Sequence, residues 1–159
     1  MAANEYRFVS CWRVRASPEE VSVILDDPGN LAIWWPSVYI ESEVLEPGDA
    51  SGVGKRVQLL TKGWLPYRLR WRFRVVESRK PYGWTLEAGG DLIGRGIWTF
   101  ARSGDETLVT YDWRIRAEKP LIRVFSSLLK PIFRANHRWA MAQGEQALQK
   151  EVSKRRFDV

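Results

Sequence analysis

The architecture of this chain follows from residues 120–157, which read PLIRVFSSLLKPIFRANHRWAMAQGEQALQKEVSKRRF. Apolar residues recur there at steps of three and four, which predicts one long amphipathic helix or two nearly collinear ones. Pro120 stands where a first-turn proline is tolerated, whereas Pro131 interrupts the pattern, so we expect a break or kink at Pro131. An apolar stripe of this length needs a partner, and the preceding part of the chain must supply it.

Seven segments between Tyr6 and Arg116 alternate between apolar and other residues, a pattern typical of antiparallel strands with one buried face. In the fourth segment, the residues on one face are Tyr67, Leu69, Trp71, Phe73 and Val75, and those on the other are Arg68, Arg70, Arg72 and Arg74. We therefore expect Trp71 and Phe73 to be buried against the C-terminal helix and Arg70 and Arg72 to be exposed. In the second segment, Val38 and Ile40 should share one face, and Tyr39 should lie on the opposite one.

Two short helices are predicted between the first and second strands. Ser17-Pro18-Glu19-Glu20 has the spacing of a capping box, and Leu31 to Trp35 forms a helical turn that stops before Pro36. The predicted order is one strand, two short helices, six strands and a long helix. This order defines an α+β fold in which a curved antiparallel sheet wraps around the C-terminal helix.

Composition limits the classes of function. At 159 residues we expect one domain spanning 1–159, and nine Trp indicate either an aromatic-walled cavity or a Trp-rich core. The single cysteine, Cys11, cannot form an intrachain disulfide. The sequence shows no signal peptide and no apolar run long enough for a membrane span, so a cytoplasmic location is expected. The net charge of +6 makes anionic partners possible.

Several short motifs are distributed along the chain. They are Asp27-Pro28, Trp34-Trp35-Pro36, Glu46-Pro47-Gly48, Gly52-x-Gly54, Gly94-x-Gly96-x-Trp98, Thr107-x-Val109-Thr110-Tyr111-x-Trp113 and Asn136-His137-x-Trp139-x-Met141-x-x-Gly144. Together with the order of elements, these motifs resemble the polyketide cyclase/dehydrase branch of the START-like (Bet v 1-like, SRPBCC) superfamily. The resemblance covers nearly the whole chain. It implies a helix-grip fold with a hydrophobic ligand cavity between the sheet and the C-terminal helix.

The inward-facing positions of the predicted elements define the residues expected to line that cavity. They are Trp12, Trp34, Trp35, Trp71, Phe73, Trp84, Trp98, Tyr111, Trp113, His137 and Met141. The expected function is the binding of a small hydrophobic, lipid-like or aromatic ligand.

His137, the only histidine, and Tyr111 are the candidates for acid–base catalysis. A cyclase- or aromatase-type enzyme that uses both groups without a metal is the alternative to binding. Binding is favoured, because no motif supplies a second catalytic group at a defined spacing from His137. One Cys and one His cannot form the usual zinc cluster, and the glycine pairs do not form a dinucleotide fingerprint, so no cofactor is expected.

The row of arginines from Arg68 to Arg74, with Arg56 and Lys62 nearby, indicates a second alternative, docking on nucleic acid or on an anionic membrane surface. The aromatic residues of the same strand face the other way and cannot stack on bases beside the arginines. A solvated outer sheet face is therefore favoured. Nucleic acid is not an expected partner, and peripheral contact with a membrane is left open.

Overall fold

A seven-stranded antiparallel sheet forms the body of the chain, in a computed structural model that describes residues 3–158. The strands are β1 (Glu5–Val14), β2 (Tyr39–Glu46), β3 (Arg56–Lys62), β4 (Arg68–Ser78), β5 (Gly83–Gly90), β6 (Leu92–Ser103) and β7 (Glu106–Ala117). They lie in the order β1-β7-β6-β5-β4-β3-β2. Six consecutive strands thus form hairpins with their neighbours, and β1 returns beside β7. The α+β helix-grip fold predicted from the sequence is confirmed.

Short helices connect β1 to β2. They are α1 (Pro18–Leu25) and α2 (Leu31–Trp34), with a 3₁₀ turn at Pro28–Asn30 between them. The capping box is present, because Ser17 Oγ accepts from Glu20 N at 3.1 Å and Ser17 N donates to Glu20 Oε1 at 3.1 Å. This reciprocal pair satisfies two backbone donors at the start of α1.

The C-terminal helix, α3 (Pro120–Phe157), is a single helix of 38 residues. It continues through Pro131, so the alternative of one long helix is confirmed and a break at Pro131 is excluded. The missing N–H of Pro131 leaves the carbonyl of Ser127 without its helical partner. Both residues are exposed, so water can satisfy that carbonyl, and the proline ring does not have to enter the core.

Side chains of α3 also complete the free edge of β1. Arg13 N donates to Glu145 Oε2 at 2.9 Å, and Arg15 N donates to Gln149 Oε1 at 2.8 Å. An exposed strand edge leaves backbone groups unpaired, and these two side chains supply the partners that a further strand would otherwise provide. The pairing fixes the second half of α3 against β1.

The alternation predicted for β4 is present. Arg70 and Arg72 are exposed and Trp71 is buried, so the register is the one expected. Phe73 is only half-buried, contrary to the expectation. Its register partners, Val57 on β3 and Ala88 on β5, are small and leave part of the ring uncovered.

The start of β2 differs from the prediction. Val38 precedes the strand, and a register irregularity separates Tyr39 from Glu41. Such an irregularity breaks the strict alternation of faces on which the prediction depended. Tyr39 consequently turns toward the interior and packs edge-on against Trp35, with 4.9 Å between the ring centroids.

Candidate ligand cavity

A cavity of about 130 Å³ lies between the inner face of the sheet and α3. Its wall is mainly apolar, and aromatic residues are the largest group in it. The aromatic residues that line it are Tyr6, Phe8, Trp35, Tyr39, Tyr67, Trp71, Tyr111, Trp113 and Phe133. The polar side chains of Thr61, Lys62, Asn136 and His137 also reach the wall.

Six of the eleven predicted lining residues reach this cavity. They are Trp35, Trp71, Tyr111, Trp113, His137 and Met141. A smaller space of about 40 Å³ is lined by Phe73, Trp84 and Trp98, together with Trp35, Trp71 and Tyr111. Trp12 and Trp34 line neither space.

Trp12 and Trp34 lie behind the wall and support Trp35. Trp34 stacks on Trp35 with 5.7 Å between the ring centroids, and Trp12 meets Trp35 edge-on at 5.6 Å. These contacts restrict the position of the Trp35 ring, because buried aromatic pairs hold defined geometries. In the structure these two residues shape the cavity through Trp35 rather than by direct exposure to it.

The Trp35 ring also lies directly against α3. A Cβ atom built on Gly144 would come within 2.4 Å of the ring. Any side chain at position 144 would therefore displace Trp35 from the wall. The glycine is required here by close approach of two elements, and not by backbone conformation.

Asn136 was not predicted, although it is the main polar link beside the cavity. Its Oδ1 accepts from Trp64 N at 2.9 Å and from Leu65 N at 3.3 Å, and its Nδ2 donates to Tyr67 Oη at 3.3 Å. Gly63 allows this contact, since a Cβ there would lie 2.1 Å from Asn136 Oδ1. The side chain thus joins α3 to the β3–β4 loop, which we define as residues 63–67.

Sequence signals existed for some of the other residues that were missed. Phe8 and Tyr67 continue the inward-facing alternation of predicted residues, so alternation places them on the inner side of the sheet, where the cavity lies. Asn136 precedes His137 on α3, and a polar side chain inside an apolar stripe is the only signal for it. Nothing in the sequence pattern indicates that Tyr39 faces inward.

His137 reaches the cavity from α3, as its helical spacing predicts. Its ring stacks on Phe8 with 3.9 Å between the centroids and 18° between the planes. Part of the residue is exposed, but Nε2 is buried and has no hydrogen-bond partner among the described residues. Burial lowers the pKa of His137 to about 4, because the charged imidazolium loses its hydration. The ring is therefore neutral at pH 7.

Tyr111 reaches the cavity from β7. Its ring stacks on Trp98 with 4.0 Å between the centroids and on Trp113 at 5.5 Å. Burial raises its pKa well above the ordinary value, so the phenol stays protonated. Gly96 on β6 makes room for it, since a Cβ there would lie 2.6 Å from Tyr111 Oη. Among residues 3–158, no hydrogen bond joins Tyr111 to His137.

Two more tyrosines contribute hydroxyl groups to the wall. Burial raises the pKa of Tyr67 to about 12 and raises that of Tyr39 above its usual range. Both phenols are therefore neutral at physiological pH and can donate a hydrogen bond. With neutral His137, the described cavity wall offers hydrogen bonds and, apart from Lys62 at its rim, no charge.

The row of arginines on β4 lies on the outer face of the sheet, away from the cavity. All four are exposed, and Arg74 lies 3.8 Å from Glu87. On the neighbouring strand, Arg56 pairs with Glu46 at 2.8 Å. Within residues 3–158, no group of three or more His, Cys, Asp or Glu side chains is placed to hold a metal ion. In the same part of the chain, no helix has the length and apolar character needed to cross a membrane.

A curved antiparallel sheet, a long C-terminal helix and a cavity between them define a START-like protein of the helix-grip class. Residues 8–152 match the family described as polyketide cyclase / dehydrase and lipid transport. The chain belongs to this family. No curated protein sequence matches the chain.

Solved structures show the same fold at low sequence identity. A START superfamily protein from Mycobacterium smegmatis has a TM-score of 0.72 at 14% identity, covering 93% of this chain and 97% of that one. The protein TTHA0849 from Thermus thermophilus has a TM-score of 0.70 at 16% identity, with coverage of 92% and 99%. The Zhui aromatase/cyclase from Streptomyces sp. R1128 has a TM-score of 0.69 at 17% identity, with 95% of each chain covered.

Proposed function

We propose that the protein binds a small hydrophobic, lipid-like or aromatic ligand in the cavity between the sheet and α3. The observation that carries this proposal is the largely apolar cavity lined by His137, whose buried Nε2 has no hydrogen-bond partner among the described residues. A buried polar atom without a partner costs about 1–3 kcal/mol, and a ligand that supplies the partner removes that cost. The ligand therefore has an apolar body and at least one hydrogen-bonding group.

The cavity volume sets the size of that apolar body. An apolar cavity of about 150 Å³ is known to accept benzene, so a space of about 130 Å³ accommodates roughly one aromatic ring. A long acyl chain or several fused rings would require wall side chains to move.

The neutrality of His137 supports binding over acid–base catalysis. A general acid or base works best when its pKa lies near the operating pH. The pKa of His137 is lowered to about 4, so at pH 7 the ring is not a proton donor in its charged form, and it is only a weak base. A neutral imidazole still offers one N–H donor and one lone pair to a ligand.

The matched probes p-cresol and p-xylene test the proposal, because they have nearly the same shape and differ in one hydroxyl group. A phenol can donate or accept, so it can pair with Nε2 in either imidazole tautomer. We expect calorimetry to show p-cresol binding about five- to tenfold more tightly than p-xylene, the effect of one net hydrogen bond of ~1 kcal/mol.

The variant His137→Phe is the control, because it keeps an aromatic ring against Phe8 and removes the nitrogen. It should bind both probes with nearly equal affinity. Failure of the native protein to bind either probe contradicts the proposal. Native mass spectrometry of protein purified from its own cells would then identify the chemical class of any molecule that copurifies.

A cyclase- or aromatase-type enzyme is the second candidate, because His137 and Tyr111 line the same cavity and the Zhui aromatase/cyclase has a similar fold. This function predicts turnover of polyketide-like aromatic precursors. Replacing His137 by Gln would then lower the rate by about 10²- to 10⁴-fold while much of the binding is retained. A rate that depends on His137 would establish catalysis over binding alone.

A further inference from the structure

The first half of α3 exposes large apolar side chains that the rest of residues 3–158 covers only in part. We define the docking face as Leu121, Val124, Phe125, Leu128 and Ile132 of α3, together with Trp64 of the β3–β4 loop. These residues are between 41% and 76% exposed. A cluster of several large apolar side chains exposed side by side on a protein surface is typical of a site that contacts a partner or a membrane.

Helical geometry separates the docking face from the face that contacts the sheet. Ile122, Ser126 and Phe133 are buried, and the centre of this buried set lies about 120° around the helix from the centre of the exposed apolar set. The exposed residues are spaced three, four and seven apart, so they form a stripe of their own. The first half of α3 is therefore apolar on two faces, and the sheet covers only one.

Charge identifies the kind of partner. Residues 55–76 and 120–144 carry eleven Lys and Arg and no Asp or Glu, whereas the rest of the chain carries 14 Lys and Arg against 19 Asp and Glu. The two segments meet where Asn136 holds Trp64. The docking face thus lies within the part of the chain that accounts for the whole positive net charge.

Several of these cations are available to a partner. Lys62 and Arg68 flank the β3–β4 loop, and Arg134 and Arg138 lie on α3. All four are exposed, and none forms an ion pair with a carboxylate of residues 3–158. A helix with Leu and Phe on one face and Lys and Arg beside it is the pattern of interfacial membrane binding.

We propose that the docking face binds the surface of an anionic lipid membrane, with its apolar side chains among the acyl chains and the cations at the lipid headgroups. Tryptophan is favoured at the membrane–water interface, which fits Trp64 at the tip of its loop. The cations gain from the negative surface potential of anionic lipids. The proposal does not depend on which ligand the cavity binds.

Two other partners fit the face less well. In a two-fold dimer the face would meet itself, and the residues 55–76 and 120–144 around it would offer the partner's cations only further cations and no carboxylate. The phosphates of a nucleic acid would bind the cations. Leu121, Val124 and Leu128 would not contribute to such binding, because aliphatic side chains neither stack on bases as aromatic rings do nor form hydrogen bonds.

Flotation with lipid vesicles tests the proposal. The native protein should float with vesicles of phosphatidylcholine and phosphatidylserine and should bind less as salt rises. The double variant Phe125→Ser/Leu128→Ser should bind at least about tenfold more weakly, because two large side chains no longer enter the lipid. The matched control Val23→Ser/Ile33→Ser removes exposed apolar side chains from α1 and α2, and it should bind like the native protein.

Charge variants provide an independent test. Lys62→Glu/Arg134→Glu should bind several-fold more weakly than Arg70→Glu/Arg72→Glu, which makes the same change in net charge on the outer face of the sheet. All substituted residues are exposed, so the fold should be retained, as circular dichroism would verify.

Two results would overturn the proposal. The first is equal vesicle binding by the native protein and Phe125→Ser/Leu128→Ser. The second is a native protein that does not bind vesicles but sediments as a dimer that the same double variant dissociates. That result would identify the docking face as an interface between two copies of the chain.

Discussion

The two halves of α3 have the same helical periodicity but different surroundings. In the second half, Leu148 and Val152 are almost fully buried, and Glu145 and Gln149 bond to the edge of β1. In the first half, Ile122 and Phe133 are buried while Leu128 is 76% exposed. Apolar periodicity therefore identifies a helix and its stripes, but it does not tell whether each stripe has a partner within the chain.

Charge divides the helix in the same way. The first 25 residues of α3, 120–144, contain no acidic residue, whereas the remainder contains Glu145 and Glu151. Ion pairs form in the second half, with Arg155 lying 3.1 Å from Glu151 and Arg156 lying 2.9 Å from Glu20 on α1. Two cations at the end of the second half thus pair with carboxylates of the chain, whereas in the first half only Arg123 pairs with a carboxylate of residues 3–158, at 3.9 Å from Glu118.

The largest expected difference between the halves is in stability. Leu148→Ala should lower the free energy of unfolding by about 3 kcal/mol, because it leaves a cavity at a fully buried site. Leu128→Ala, the same change at an exposed site, should lower it by less than about 0.5 kcal/mol. Urea unfolding monitored by circular dichroism measures both. Equal losses would show that the first half is as well covered as the second.

The second prediction concerns the pH dependence of stability that His137 causes. This residue lies near the middle of α3 and lines the cavity. Its pKa is lowered to about 4 in the folded protein from a usual value of 6.5, so the unfolded chain binds the proton more readily. The free energy of unfolding should therefore be highest above pH 6.5, and it should fall by about 3 kcal/mol as the pH decreases toward 4. Urea unfolding across this range should show the loss in the native protein relative to His137→Gln. Parallel pH profiles for the two proteins would contradict it.

A smaller effect is expected at Gly144. Alanine is the better helix former by about 1 kcal/mol, but its Cβ would come within 2.4 Å of the Trp35 ring. Overpacking of this kind costs about 1–3 kcal/mol, so Gly144→Ala should be destabilising by about 1 kcal/mol in net terms. Gln146→Ala, at an exposed position of the same turn, is the control and should change stability little. A more stable Gly144→Ala protein would show that Trp35 moves freely.

The smallest effect should come from the ion pair between Arg156 and Glu20. Arg156 lowers the pKa of Glu20 to about 2, so the pair stabilises the fold above pH 4.5 and loses its effect as the pH falls toward 2. Arg156 is 54% exposed on its side chain, and solvent screening limits the pair to less than about 1 kcal/mol. Thermal unfolding at pH 7 should therefore show a small loss for Arg156→Gln and none for Arg134→Gln. Equal losses would remove the electrostatic contrast between the halves.

The order of elements and the buried face of most strands were predictable, because alternation and helical spacing are local properties of the sequence. Trp71, Tyr111 and His137 were placed on the cavity wall for this reason. The position of Tyr39 was not predictable, since it depends on an irregularity in the pairing of β2 with β3. Pairing between strands is set by the whole sheet and leaves no local signal.

Asn136 and Trp12 show a second limit of sequence reasoning. Asn136 can be buried because two backbone N–H groups of the β3–β4 loop donate hydrogen bonds to its side chain. These bonds form only when that loop, distant in the sequence, folds over α3. Trp12 is inward-facing as predicted, yet another tryptophan lies between it and the cavity. Alternation tells which side of the sheet a residue occupies, but not how many layers separate it from an empty space.

The chain contains a single histidine, and that histidine lines the cavity. Isotope labelling of histidine alone would therefore give one imidazole signal in an NMR spectrum, with no assignment problem. Its chemical shifts would distinguish the two tautomers and the protonated ring, and they would change when a molecule occupies the space beside Nε2. The protein thus carries its own spectroscopic reporter for ligand screening.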